Sequence, residues 1–256
     1  MRWVYSSSLL LVLGLLFSFP STALAQDSLS EANRLYKEAT TGDVDMEKLK
    51  QSVELYQEVT QEQPENYEAW WKGARASREY ADKSRIREKE NWEDIAVEYG
   101  QLGMEMAQEA IELNPQGVEG HYFYGVSVGS YSDGVSVVTA WREGLSDKTH
   151  EHLTRAYEID KEYNDATPPM ALGRYFEVLP WIAGQDKDKA LDYYREALEL
   201  MPEDSPHRPN LHVWAGRLML DMGEEEERAR NLLGMAAESE HDYYSSRAQE
   251  ILDEYS

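Results

Sequence analysis

DKDKALDYYREALELMP, residues 186–202, decides how this chain reads. Ala190, Tyr194, Ala197 and Met201 stand at i, i+4, i+7 and i+11, so they share one face of a helix, and Leu191 and Leu198 widen it. Small residues at 190 and 197 let a neighbouring helix come close, Tyr194 fills the space between them, and Pro202 closes the helix. A small residue, an aromatic, a small residue and a proline at these intervals mark the second helix of a helical hairpin that repeats about every 34 residues. Such a hairpin cannot bury its apolar face alone, so the rest of the chain is expected to supply its neighbours.

It does so in both directions. Upstream, Ser30 can cap a helix over 31–39, residues 40–45 form a polar turn, and 46–63 place Ser52, Tyr56 and Val59 on one face before Pro64. A second unit opens at 67–80 with Trp70 and the close-crossing pair Gly73-Ala74, and resumes at 99–114 with Gly103, Ala107 and Ala110 before Pro115. Residues 81–94 between them are surplus and read as an extension of the first helix with a turn near Asn91. In the third unit His121, Tyr124 and Gly125 take first-helix positions, and Tyr131-Ser-Asp-Gly134 is a turn signal that ends the helix. Residues 134–145 then form a short inserted helix with Val135, Val138, Trp141 and Leu145 near one face, and 149–160 return to the pattern through Leu153, Ala156 and Ile159. The fourth unit begins after Thr167-Pro168-Pro169, carries Leu172, Gly173 and Phe176, and ends at Leu179-Pro180-Trp181 before the stretch quoted first. A fifth has Trp214, Gly216 and Leu218, a turn at Gly223, then Ala229, Leu233 and Ala236, and 244–255 cap the stack. The expected fold is all-α: a tetratricopeptide-like (TPR-like) helical-hairpin solenoid of four to five repeats with an inserted short helix and a C-terminal capping helix.

Residues 1–25 read as a secretory signal peptide: Arg2, an apolar run over 9–19, Pro20, and the Ala23-Leu24-Ala25 cleavage site. The expected mature chain, 26–256, is a single soluble periplasmic domain. Its surface is strongly acidic, with a formal charge of −24 over the whole chain, which disfavours nucleic acid and anionic lipid. The chain has no cysteine, which excludes disulfides, thiolate metal sites, a cysteine nucleophile and lipid attachment at an N-terminal cysteine. With 17 Tyr and 7 Trp against 4 Phe, its aromatic side chains pair an apolar ring with a polar tip, which suits helix contacts and ligand walls alike.

Catalytic and metal chemistry find little footing. No H-E-x-x-H, G-x-S-x-G, P-loop or G-x-G-x-x-G pattern occurs, so no enzyme activity and no cofactor is expected. His150 and His152 lie about 200° apart on a helix and read as surface histidines rather than a metal pair. Glu224 to Glu227 read as an acidic helix start rather than a calcium loop. The basic residues Lys83, Arg85, Arg87 and Lys89 either meet an acidic partner or, interleaved with Glu88 and Glu90, form a solvated helix face.

Three stretches, HYFYGVSVGSYSDGVSVVTAWREGL (121–145), LTRAYEIDKEYNDATPPMALGRYFEVLPW (153–181) and DKDKALDYYREALELMP (186–202), resemble the T component associated with some TRAP (tripartite ATP-independent periplasmic) transporters. The resemblance covers about residues 70–220. It implies a helical periplasmic protein that trimerises, has an opening through each protomer and associates with the periplasmic solute-binding protein of the transporter. Thr167-Pro168-Pro169 departs from the glycine-proline pairing expected there, and no cysteine stands ready for the lipid anchor of some members.

The candidate ligand-binding residues are Tyr124, Tyr131, Trp141, Arg142, Arg174, Tyr175 and Trp181, with Tyr122 close by in sequence. They either pack the inserted helix against the fourth unit or line a partly apolar cavity with an arginine at its mouth, suited to an organic acid or an apolar-tailed ligand. Two functions stay open: a non-catalytic accessory of solute uptake, and a general TPR-like scaffold that docks a peptide or protein in its concave groove.

Overall fold

The computed structural model describes residues 21–87 and 89–256. Several helices begin where a polar side chain accepts from an otherwise unpaired amide. Asp45 accepts from Glu47 N and Lys48 N, both at 3.1 Å, and opens Met46–Glu62. Asn66 accepts from Ala69 N at 3.1 Å and opens Tyr67–Ile86; Asp186 accepts from Lys189 N at 3.0 Å and opens Lys187–Leu200. Among the described residues the helices are α1 (Ser21–Thr40), α2 (Met46–Glu62), α3 (Tyr67–Ile86), α4 (Trp92–Leu113), α5 (Val118–Val135), α6 (Val137–Arg142), α7 (Leu145–Ile159), α8 (Tyr163–Val178), α9 (Lys187–Leu200), α10 (Arg208–Met222), α11 (Glu226–Ala237) and α12 (Asp242–Glu254). They pair as α1–α2, α3–α4, α5–α7 around the inserted α6, α8–α9 and α10–α11, with α12 against the last pair. This is an all-α TPR-like solenoid.

The repeat positions form its core. Tyr56 and Tyr194 are fully buried, as are Ala190, Ala197 and Val59. Gly173 of α8 shows why small residues stand at the crossings: a Cβ there would lie 2.5 Å from the Tyr194 ring of α9. Burial of the two apolar clusters, one on α1–α5 with Ala156 of α7 and one on α8–α12 with Leu153 of α7, holds the stack together, and Val126 and Ala171 pack against both.

Several local expectations change. The signal-peptide reading falls largely on residues 1–20, outside the described residues; α1 starts at Ser21, so Ser30 lies within this helix and not at its cap. Of the stretch 81–94, residues 81–86 end α3 and 92–94 begin α4, with turn residues at Arg87 and at Glu90-Asn91. Tyr131-Ser-Asp-Gly134 does not end its helix, since α5 runs on to Val135. Gly134 serves close packing there: a Cβ would lie 2.6 Å from Glu93 O of α4. The break comes at Ser136, with φ at 126°, and Ser136 then caps α6 by accepting from Thr139 N at 3.2 Å. In α6 the buried residue is Ala140, while Val138 is 42% exposed, so the apolar face expected from spacing is not the packed one. Asn164, Asp165 and Ala166 take left-handed dihedrals, and the straight part of α8 starts at the prolines, where no amide is lost. Among the described residues no helix is long and apolar enough to cross a membrane.

Candidate functional site

In α3 the residues facing the second helices, Gly73, Ala74, Ala76, Ser77, Tyr80, Ala81 and Ser84, are buried. The complementary stripe at i, i+4, i+7, i+11 and i+14 is Trp71, Arg75, Arg78, Asp82 and Arg85, all half-buried. These side chains meet first helices of other hairpins. Trp71 stacks on Phe123 of α5, with ring centroids 6.1 Å apart. Arg85 Nε pairs with Asp133 of α5 at 3.1 Å, and its Nη1 donates to Tyr243 Oη of α12 at 3.2 Å. A contact spanning 158 residues means that the solenoid has wound far enough for its last helix to return to α3. The first helices therefore enclose an inner face.

That face continues on the other first helices. Tyr122, Gly129 and Asp133 repeat the α3 spacing along α5. On α8, Arg174 pairs with Glu177 at 2.9 Å and lies over the Trp214 ring of α10 at 5.1 Å. Asn164 Nδ2 donates to His207 Nε2 at 3.2 Å, tying α8 to the start of α10. Gly129 is exposed, and apart from its chain neighbours and its own helix backbone no heavy atom lies within 4 Å of where its Cβ would stand, so the face is open there.

The charges are mutually adjusted. Burial works against the Asp82 carboxylate, yet Arg78, Arg85 and Lys83 outweigh it and hold its pKa below the ordinary value. Burial likewise works against Arg78, and Asp82 and Glu79 more than restore its charge. Asp133 goes the other way: burial raises its pKa in spite of Arg85, and Asp82 adds repulsion. Tyr244 of α12 is pushed well up by burial and by Asp82. Of the basic residues 83–89, Arg85 and Lys83 thus belong to this network, Lys83 with Glu79 at 3.5 Å, and Arg87 is exposed. The solvated-face reading holds for Arg87 and not for Arg85.

The seven residues singled out in the sequence do not gather around one space. Tyr124 is buried with its ring 4.4 Å from that of His152. Tyr131 Oη donates to Glu143 Oε2 at 2.9 Å, bracing α5 against the turn after α6. Trp141 is half-buried on α6 and Arg142 exposed at its end. Tyr175 stacks on His150 at 5.5 Å and its Oη donates to Ser146 O at 3.2 Å, joining α8 to α7. Trp181 is 83% exposed in the turn after α8. Only Arg174 of the seven reaches the inner face, together with the neighbouring Tyr122. Sequence reading missed the α3 stripe, whose signal was the same helical spacing written in Arg, Asp and Trp.

The histidines are not surface groups. His121 Nε2 donates to Pro115 O at 3.1 Å, which leaves its Nδ1 to accept from His152 Nδ1 at 3.0 Å. Glu224 and Glu225, read as a solvated start, pair with Arg195 of α9 at 3.1 and 2.5 Å.

The fold is similar to that of a thermophilic TPR protein from Thermus thermophilus, at 16% identity, covering 89% of this chain and 98% of that chain with a TM-score of 0.60. A looser likeness, with a TM-score of 0.47 at 13% identity over 90% of this chain and 98% of the other, is to YrrB, described as a TPR protein with an unusual peptide-binding site. Among curated proteins none matches significantly. One family model matches residues 28–256, and it corrects the resemblance to the T component of TRAP transporters. Leu172, Gly173 and Phe176, within the stretches that carried that resemblance, are buried hairpin positions of α8. The trimer, the opening and the solute-binding-protein partner were implied by that resemblance and lose its support. By a match that runs from residue 28 to the last residue, the chain belongs to the family described as regulator of microtubule dynamics protein 1-3.

Proposed function

We propose that this protein is a non-catalytic TPR-like scaffold that docks a peptide or protein segment along the inner face of its first helices. The observation that carries the reading is the half-buried row Trp71, Arg75, Arg78 and Arg85, facing α5 and α12 beside an open position at Gly129. Rows of partly desolvated arginine and aromatic residues are what protein interfaces use as anchors. The family's description names a regulator, which agrees with docking rather than chemistry.

The test is a plug. Gly129→Trp fills the inner face at an exposed helical position where replacing glycine by tryptophan gains roughly 0.3–0.5 kcal/mol of helix propensity, so folding is expected to be preserved. Random dodecapeptides displayed on phage are panned on the wild type, and the selected clones are titrated against both proteins. Selected peptides are expected to lose about tenfold or more in affinity for the plugged variant. Equal binding to both places docking elsewhere and overturns the reading.

A further inference from the structure

One guanidinium on the inner face is not answered by any described carboxylate. Arg78, Arg85 and Arg174 each pair with one. Arg75, half-buried in the middle of α3, makes no ion pair with a described carboxylate, and its buried Nε has no hydrogen-bond partner. Its guanidinium lies instead over the ring of Tyr36 at 4.0 Å and that of Trp71 at 5.2 Å, with the neutral Tyr56 hydroxyl as a polar neighbour. Stacking of this kind offsets part of the cost of removing the charge from water, and it leaves the remaining in-plane N–H groups for a planar acceptor. Beside it, Lys72 Nζ bonds Asn33 Oδ1 at 2.9 Å and pairs with Glu68, so a second cation stands at the rim.

We propose that Arg75, held between Tyr36 and Trp71, anchors a carboxylate side chain of an acidic peptide whose neighbouring residues are apolar. The proposal rests on the docking reading above and names its ligand. A carboxylate takes two parallel hydrogen bonds from a guanidinium edge, and the flanking rings offer apolar contact to the residues on either side. Charge favours this place over others. The chain carries −24 overall and repels acidic peptides, whereas α3 has five basic residues against three acidic ones.

Two fluorescent peptides test it, Glu-Leu-Glu-Leu-Glu-Leu and its uncharged counterpart Gln-Leu-Gln-Leu-Gln-Leu, both with blocked ends. They are titrated by anisotropy against wild type, Arg75→Gln, Arg75→Lys, Arg87→Gln and Gly129→Trp at low and high salt. The acidic peptide is expected to bind wild type about tenfold or more tightly than the neutral one, and to lose that advantage in Arg75→Gln. Arg75→Lys, which keeps the charge and loses the fork, should fall between, and Arg87→Gln should match wild type. Thermal melts of each variant confirm folding, and Arg75→Lys carries the comparison if Arg75→Gln does not fold. Equal affinity for the two peptides, undiminished acidic binding in Arg75→Gln, or no binding of the acidic peptide each overturns the proposal. Binding that ignores charge and is lost in Gly129→Trp leaves docking standing without the acidic ligand; acidic binding that survives Gly129→Trp removes the docking reading too.

Discussion

Helices α3 and α4 form one hairpin and share one buried seam, yet they carry opposite charge. The first has five basic against three acidic residues. The second has six acidic residues and no basic one, Glu93, Asp94, Glu98, Glu105, Glu109 and Glu112, and all six are exposed. The α4 acids face water, where a charge needs no partner. The α3 charges other than the exposed Glu68 are half-buried, where each one must be matched or stacked. The inner helix is thus selected for mutual recognition, and the outer one for not being recognised.

The largest effect should come from breaking the inner network at its centre. Asp82 sits between Arg78, at 4.0 Å, and Arg85, at 3.0 Å, with its side chain 14% exposed. Asp82→Ala leaves two arginines crowded together with less compensation. A fully buried pair broken in this way costs roughly 3–5 kcal/mol; partial exposure brings the expected loss to about 2–3 kcal/mol. Glu105→Ala on α4 should change stability by less than about 0.5 kcal/mol. Urea melts of the two variants side by side measure the contrast, and equal losses would show that inner and outer charges are not different in kind.

Acid sharpens the same contrast. All six histidines lie outside α4, and burial is the first cause that lowers each of their pKa values from 6.5. His212, buried on α10 with an unpartnered Nε2, is pushed down to about 4. The unfolded chain therefore takes up protons before the folded one as pH falls. Stability is fully present above about 6.5 and declines below it. His212 alone should account for about 1.5 kcal/mol at pH 5.5 by linkage. Urea melts from pH 8 to 5.5 follow the decline, and His212→Gln should flatten it. A wild-type profile that is level over this range would contradict the burial of these rings.

The outer and core residues were legible in the sequence because water and close packing act on each residue separately. Ala190, Tyr194 and Ala197 announce their burial by spacing and size alone, and the hairpin count followed from them. The site was not legible in the same way. Arg85 is indistinguishable in sequence from the exposed Arg87, and what separates them is Tyr243, 158 residues away. Aromatic density drew attention to 122–181, but Tyr131 and Tyr175 brace helix joints there. Gly134 looked like a turn residue because the chain cannot state locally that Glu93 O of α4 will pass within reach of its Cα.

The smallest expected effect is a gain on the outer helix. Glu105 and Glu109 stand four residues apart on α4, both exposed, and Gln101 Nε2 donates to Glu105 Oε1 at 2.9 Å. Like charges at this spacing repel, and an acidic residue followed four positions later by a lysine attracts, each by about 0.2–0.5 kcal/mol. Glu109 also lies near the C-terminal end of α4, where the last turn has no basic residue to complement the helix dipole. Glu109→Lys should therefore stabilise the protein by about 0.5 kcal/mol in dilute buffer, and the gain should shrink as salt screens it. It should leave the affinity of the acidic hexapeptide within about twofold of wild type at moderate salt, because α4 does not line the inner face. A stability gain that persists undiminished in high salt would assign the effect to helix propensity, while a large rise in peptide affinity would show that the outer charge reaches the groove and that the two faces of this hairpin are not electrostatically independent.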